Sequence, residues 1–486
     1  MSEYVENRLH GDIPLEDATN TVERIDDNET LAISGFGSVG YPKSVPNAFV
    51  ETDRDFSLTI ISGGSVGKEI DDDLMEAGAI DRRYPYQART PARIRVNDRS
   101  VAFNDRHIWT LGDEVAYNQL SGPYTAIIEA IAIGEDWLIP TTSIGPTPQY
   151  IRSADRLIVE VNRAQPLDLQ YLHDIYVRND PPNRYPVPLN SAHDRIGSPR
   201  ISFDPSKLEA VIETKIPDTP YNFRDLTNEE YGLGENVAEF LSEEIKRNPI
   251  FDDTVHLQFG VGNVGNALMA TIDTLDVTDT DIVYCGEVIQ DGLLEMMNNG
   301  LLSTASATSL ALSREGQSRL FDDIERYTDN IILRPSAVSN NPSVINRLGI
   351  IGVNSAVEID IYGQANSTHI NGTHVINGIG GSGDFIRNSL VSIIALPSTA
   401  KDGDISRIVP MVPHVDHTEH DISVVVTEQG VADLRGLSPC ERATKLIENC
   451  AHPTFRDELW AYSKKAKKSG GHIPHDLDEA FRMHTR

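Results

Sequence analysis

One unit of sequence occurs twice in this chain: an apolar strand, a glycine turn, a helix start and a second strand. Thr30–Ser34 reads as a short buried strand and runs into Gly35-Phe-Gly-Ser-Val-Gly40. Val255–Phe259 reads as another and runs into Gly260-Val-Gly-Asn-Val-Gly265. The next strands are Leu58–Ser62, followed by Gly63, and Ile282–Cys285, followed by Gly286, so matching glycines stand 23 and 21 residues apart. Helical segments follow, ending at Gly78 and Gly300, residues suited to left-handed C-caps. This grammar belongs to open, mostly parallel sheets. The expected fold class is therefore α/β, with two tandem, related, open α/β/α domains and mostly parallel sheets. A chain of 486 residues is also too long for one core. The expected domains are residues 1–220 and 221–486. Their join falls in the turn-rich stretch 218–234, before a helix starting near Glu235 with Val237, Phe240, Leu241 and Ile245 on one face. The Pro-rich run 180–189 reads as an irregular excursion.

The two copies differ where chemistry is expected. Ligands of such sheets bind beyond the carboxyl ends of the strands. There the second copy places Glu287 and the first places Gly64. A carboxylate found in one copy only is a candidate nucleophile; the alternative is a Glu that complements a helix dipole. Gly260–Gly265 also matches GxGxxG, with Glu287 standing 22 residues further on, which leaves open an NAD(P)-dependent oxidoreductase. Either way the turn suits an anionic or carbonyl oxygen. The stretch Asn377–Phe385 holds four glycines in seven residues (Gly378, Gly380, Gly381, Gly383), and its exposed N–H groups suit an oxyanion or a pantetheine arm. His414, His417 and His420 have spacings that fit no zinc signature and read as a solvated loop, so no metal site is expected. Cys285 ends an apolar strand and reads as core.

Charge narrows the partners. Asp and Glu number 73 against 42 Lys and Arg, a net charge of −31 that disfavours nucleic acid and anionic membranes as partners. Only 11 of the basic residues are lysines, a balance that suggests a halophilic source, with an ordinary acidic enzyme as the alternative. Three cysteines form no CxxC pair, no apolar run reaches the length of a membrane span, and the N-terminus lacks an apolar h-region. A cytoplasmic location is expected, and a homodimer by default.

Taken in order, several blocks resemble the class I coenzyme A transferases, in particular their acetyl-CoA hydrolase/transferase group with its succinyl-CoA:acetate transferases. In the first half they are Gly35–Lys43, Ser121-Gly-Pro with Ile127–Ala130, Pro140-Thr-Thr-Ser143, and Pro188–Ser191 with Asp194–Ser198. In the second half they are Gly260–Val264, Glu287–Asp291, Ser339–Pro342, Asn366–His369, Asn377–Phe385, and Thr427–Gly430 with Ala432–Gly436. The resemblance implies an acyl-CoA:carboxylate CoA-transferase, using acetyl-CoA with succinate or another small carboxylate, or an acetyl-CoA hydrolase on the same scaffold. It makes Glu287 the nucleophile, passing through an acyl-glutamyl anhydride and a glutamyl-CoA thioester, with the amides of Val264 and Gly381 as oxyanion donors. It assigns CoA contacts to Gly260, Val261, Gly262, Asn263, Val264, Val357, Asn377, Gly381 and Lys401, and substrate contacts to Asn340 and Glu428. Coenzyme A is then a cosubstrate, and no tightly bound cofactor is expected. In one departure, Thr219 follows Asp218 where succinate-using members tend to carry a basic residue, and Arg224 is the nearest cation, so the acyl donor stays open.

Overall fold

The computed structural model describes residues 4–120, 122–275 and 280–485; Ser121 of the Ser121-Gly-Pro block lies outside them. The chain forms two compact units. One comprises the residues up to Phe223 with Cys285–Leu294 and Thr304–Val344; the other comprises Arg224–Tyr284, Glu295–Ser303 and the residues from Ile345 onward.

In the first unit, parallel strands lie in the order Ala102–Phe103, Ile80–Tyr84, Leu58–Ser62, Thr30–Ile33, Tyr124–Ile133, Arg156–Asn162 and Leu208–Thr214. Thr30 pairs with Thr59 on one side and with Tyr124 on the other, so the strand order reverses beside the first glycine turn. Every residue of Tyr124–Ile133 is buried, as expected of a central parallel strand covered on both faces. The second unit repeats the plan. Its strands run Asp281–Cys285, Thr254–Phe259, Ile351–Asn354, Val391–Ala395 and Val424–Thr427 in parallel, with Gly430–Asp433 antiparallel at the edge. Here too the order reverses, between Thr254–Phe259 and Ile351–Asn354, beside the second glycine turn. Among the described residues no helix is long and apolar enough to cross a membrane.

The same glycine motif builds two different turns. In the second copy a helix, Asn263–Thr271, begins inside the motif, with Gly262 as its N-cap at φ 121°. In the first copy Gly35, Gly37 and Gly40 all take positive φ, and the helix waits until Ser44–Glu51. A Cβ on Gly40 would stand 2.3 Å from Ser143 Oγ, so this glycine serves close packing.

One expected boundary moves. The helix expected from Glu235 starts at Asn228 and runs to Arg247, because Thr227 and Glu230 form a reciprocal capping box. Val237, Phe240, Leu241 and Ile245 are buried on it as expected. The helical segment before Gly78 starts at Glu69 as a π-helical turn, Glu69–Leu74, and closes as α-helix Met75–Ala77 with Gly78 left-handed at φ 76°. Residues 180–189 contain neither helix nor strand.

Candidate functional site

Glu287 lies in the first unit, just past strand Asp281–Cys285 and before Val288–Ile289, which pairs with Ser309–Leu310. Its backbone is held from several sides. Gly286 N donates to Ser306 O at 3.0 Å, while Thr308 N and Ser309 N both donate to Glu287 O, at 2.9 and 3.0 Å. The side chain is half-buried, and its Oε1 accepts from Asn340 Nδ2 at 2.8 Å. Asn340 is fully buried at the end of helix Ser336–Ser339, and Ser339 Oγ donates to its Oδ1 at 2.9 Å. That bond fixes the amide's orientation, so its N–H faces the carboxylate. Of the sequence-expected residues, Glu287 and Asn340 are thus brought into contact.

Tyr86, which no motif signalled, belongs to this surrounding. Burial pushes its phenol up to about 12, and the nearby Tyr221 and Glu287 charges add to the rise. Cys285, two residues before Glu287, is buried, and burial pushes its thiol up to about 12 against the lowering pull of Arg334. A nucleophilic thiol needs the opposite shift, so the core reading of Cys285 agrees with its surroundings.

The glycine turn lies in the second unit and opens on a cavity of about 250 Å³. Gly260, Val261, Asn263 and Val264 line it, together with Asn354, Arg224, Glu230 and Arg407. Gly265 lets the first helical turn close onto the strand end, since a Cβ there would stand 2.2 Å from Gly260 O. Asn354 is locked by reciprocal bonds with Gln258, at 2.8 and 3.3 Å. Arg224 is committed to Glu230, at 2.9 and 2.5 Å. Arg407 is different: among the described residues its buried Nε has no hydrogen-bond partner. Burial lowers its pKa, against the pull of Glu428, Glu230 and Glu358. Sequence reasoning missed Arg407, because a buried Nε without a partner is a three-dimensional property.

The remaining expected contacts stand outside that lining. Glu428 sits at the turn between Val424–Thr427 and Gly430–Asp433. Burial works to raise its pKa, yet bonds from Gln429 and Ser398 hold the carboxyl below its usual range. Ser398 N donates to it at 2.8 Å, and Ser398 O accepts from Arg407 N at 2.9 Å, which ties Glu428 to the cavity wall. Gly381 is buried at the N-cap of helix Ser382–Asn388, and the adjacent Gly380 is left-handed at φ 56°. Asn377 Oδ1 is buried with no hydrogen-bond partner among the described residues. Val357 is half-buried, and Lys401 is exposed at the turn of the hairpin Thr399–Ala400 with Ile405–Ser406.

The histidine segment is only partly solvated, contrary to expectation. His420 is exposed, but His417 is buried with Nε2 3.4 Å from Ser382 Oγ. His414 packs against His369 with the rings tilted, their centroids 4.1 Å apart, and meets Asp416 at 3.1 Å. The cause is that the segment packs against Asn366–His369 and the helix after the glycine stretch. Among the described residues no group of three His, Cys, Asp or Glu could hold a metal ion.

Comparison with known proteins gives the geometry a family context. Residues 14–213 match the family model for the acetyl-CoA hydrolase/transferase N-terminal domain, and residues 316–463 match the C-terminal domain of the same family. The chain is 41% identical to a succinyl-CoA:acetate CoA-transferase of Clostridium kluyveri over 470 residues, covering 96% of this chain and 87% of that protein. It is 40% identical to a propanoyl-CoA:succinate CoA transferase of Escherichia coli over 478 residues, covering 96% of each. Among solved structures, RipA from Yersinia pestis superposes with a TM-score of 0.70 at 23% identity, covering 93% of this chain and 97% of that one, a likeness of fold alone. The oxidoreductase reading of GxGxxG finds no support among these relatives.

Proposed function

The chain belongs to the acetyl-CoA hydrolase/transferase family of enzymes, and from that premise we propose that it moves coenzyme A between an acyl donor and a small free carboxylate through Glu287. The supporting observation is the contact of the half-buried Glu287 carboxylate with the oriented Asn340 amide at 2.8 Å. A Glu Oε attacks the thioester carbonyl carbon, the C–S bond breaks, and CoA leaves as thiolate with the electron pair. The thiolate then attacks the glutamyl carbonyl of the anhydride, and the original acyl group departs as a free carboxylate. The acceptor carboxylate reverses both steps on the glutamyl-CoA thioester. No proton is consumed, and each intermediate is itself activated, so the exchange stays reversible.

The amides of Val264 and Gly381 are proposed as donors to the developing oxyanions, each lying at the start of a helix. The turn Gly260–Val264 with Val357, Asn377, Gly381 and Lys401 is proposed to contact CoA, and Glu428 with Asn340 the carboxylate. The working form is proposed as a cytoplasmic homodimer, with residues 1–220 and 221–486 as its two sequence domains and its acidic surface adapted to salt.

Water and a carboxylate compete for the same thioester, and we expect the carboxylate to win. Free CoA should be released slowly from acetyl-CoA alone, and exchange should rise sharply with an added acceptor. Equal hydrolysis with and without acceptor would assign the chain to the hydrolases of its family. Borohydride trapping after acyl-CoA treatment should place the adduct on Glu287. Full activity in Glu287→Ala would overturn the reading.

A further inference from the structure

Lys43 carries its charge where water does not reach: its side chain is fully buried. Nζ lies 2.7 Å from Glu129 Oε1 and 2.9 Å from Asp218 Oδ1, and donates to Tyr41 O at 2.7 Å. Both carboxylates are further satisfied. Thr141 Oγ1 and Asn162 Nδ2 donate to Glu129, each at 2.7 Å. Gly40 N, Thr142 Oγ1 and Gln165 Nε2 donate to Asp218. Desolvation of three charges largely cancels their mutual attraction, so such a cluster is weak evidence for a stabilising role. Its reach points elsewhere.

Thr142, bonded to Asp218 through its hydroxyl, accepts from Leu310 N through its carbonyl at 3.0 Å. Ser143 and Ser309 form an antiparallel bridge, Ile144 N donates to Thr308 O at 2.9 Å, and Gly145 N donates to Thr308 Oγ1 at 2.9 Å. The N–H groups of Thr308 and Ser309 in turn hold Glu287 O. Two short segments, 142–145 and 308–310, therefore connect the buried charges to the backbone of Glu287, all within the first unit.

We propose that the Lys43–Asp218 pair is a positioning device for the nucleophile: it fixes Thr142, and through Thr142 and Thr308 it holds the Glu287 backbone at the attack angle. The inference rests on Glu287 being the nucleophile. It gives a role to two sequence blocks, Gly35–Lys43 and Pro140–Ser143, to which the proposed chemistry assigns none. Misplacement of a reacting group by about 1 Å costs about a hundredfold in rate, so a backbone anchor of this kind matters for turnover more than for binding.

The test uses Thr142→Val, which keeps the shape and removes the hydroxyl, with Thr142→Ser as its conservative partner and Asp218→Asn as a second break. Acetyl-CoA with succinate is the assay pair, and the rate of the borohydride-trapped Glu287 adduct is followed by peptide mass spectrometry. The expected result for Thr142→Val and Asp218→Asn is a kcat and an adduct rate roughly ten- to a hundredfold lower, with KM for acetyl-CoA within about twofold. Thr142→Ser should return to within about threefold of the parent. Adduct formation on Glu287 at the parental rate in both broken variants overturns the proposal while leaving the nucleophile intact. So does a loss confined to KM, or one that matches the unfolded fraction at the assay temperature. An unmodified Glu287 in the parent enzyme overturns the nucleophile reading itself, and the positioning role with it.

Discussion

At the scale of single residues, the Glu287–Asn340 contact gives a prediction with a sign. Asn340→Asp would put a second carboxylate where a donor now stands, 2.8 Å from Glu287. Two like charges at that distance raise the pKa of at least one of them, by about one unit or more. A nucleophile must be ionised, so the acid limb of the pH–rate profile should move to higher pH, and kcat/KM measured from pH 5 to 9 reports it. Asn340→Ala should lower the rate without moving the limb by that mechanism. Cys285 supplies the contrast. With its thiol held near 12 by burial, it should resist iodoacetamide at neutral pH, and Cys285→Ala should keep activity within about threefold. Rapid labelling at Cys285 with parallel loss of activity would return the thiol to consideration. Glu287 was legible in the sequence because its partner copy lacks it. The residues that hold it, Thr308 and Ser309, were not, because pairing between distant segments leaves no local pattern.

At the scale of elements, the helix Asn228–Arg247 packs against the helix Asn263–Thr271 that opens at the glycine turn, and two glycines on it should behave in opposite ways. A Cβ on Gly234 would stand 2.6 Å from Ala267 O, a backbone atom that cannot turn aside. Alanine gains about 1 kcal/mol of helix propensity over glycine, but overpacking of this kind costs about 1–3 kcal/mol, so Gly234→Ala should destabilise. Because the displaced helix begins at the turn, the thermal stabilisation given by added CoA should shrink as well. A Cβ on Gly232 would meet only Glu428 Cβ at 3.7 Å, an ordinary contact, so Gly232→Ala should be neutral or stabilising by up to about 1 kcal/mol. Urea midpoints of the two variants check the pair. These same glycines explain the misplaced start of the helix. The run Tyr231-Gly-Leu-Gly234 dilutes the apolar period, whereas the readable signal was the capping box of Thr227 and Glu230. Strand Leu58–Ser62, an apolar run closed by glycine, was legible to the residue.

At the scale of the whole molecule, a net charge of −31 means that the folded chain repels itself, and screening should relieve this. Molar KCl shortens the Debye length to about 3 Å, so the melting temperature should rise from low salt to 1 M. A flat response would show that the acidic surface is already locally neutralised by pairs such as Arg24 with Glu16 and Glu209. The pH response is a separate matter, because it turns on buried groups. Asp360 is fully buried; its Oδ1 accepts from Tyr362 N and Gln364 N, each at 3.0 Å, while its Oδ2 has no hydrogen-bond partner among the described residues. Burial pushes this carboxyl up to about 7, against the lowering effect of those backbone bonds. A folded pKa above the unfolded one means that the native state holds a proton the unfolded state has released. The stability this contributes is complete below the ordinary aspartate value of 3.8 and is lost as pH rises through about 7. Within that window the slope is at most about 1.4 kcal/mol per pH unit for one proton. Asp360→Asn keeps the shape and removes the titration, so it should flatten the urea midpoint between pH 5 and 8 and stabilise the protein most at pH 8. If the substitution leaves the pH slope unchanged, Asp360 is ionised in the fold and its Oδ2 is satisfied by solvent.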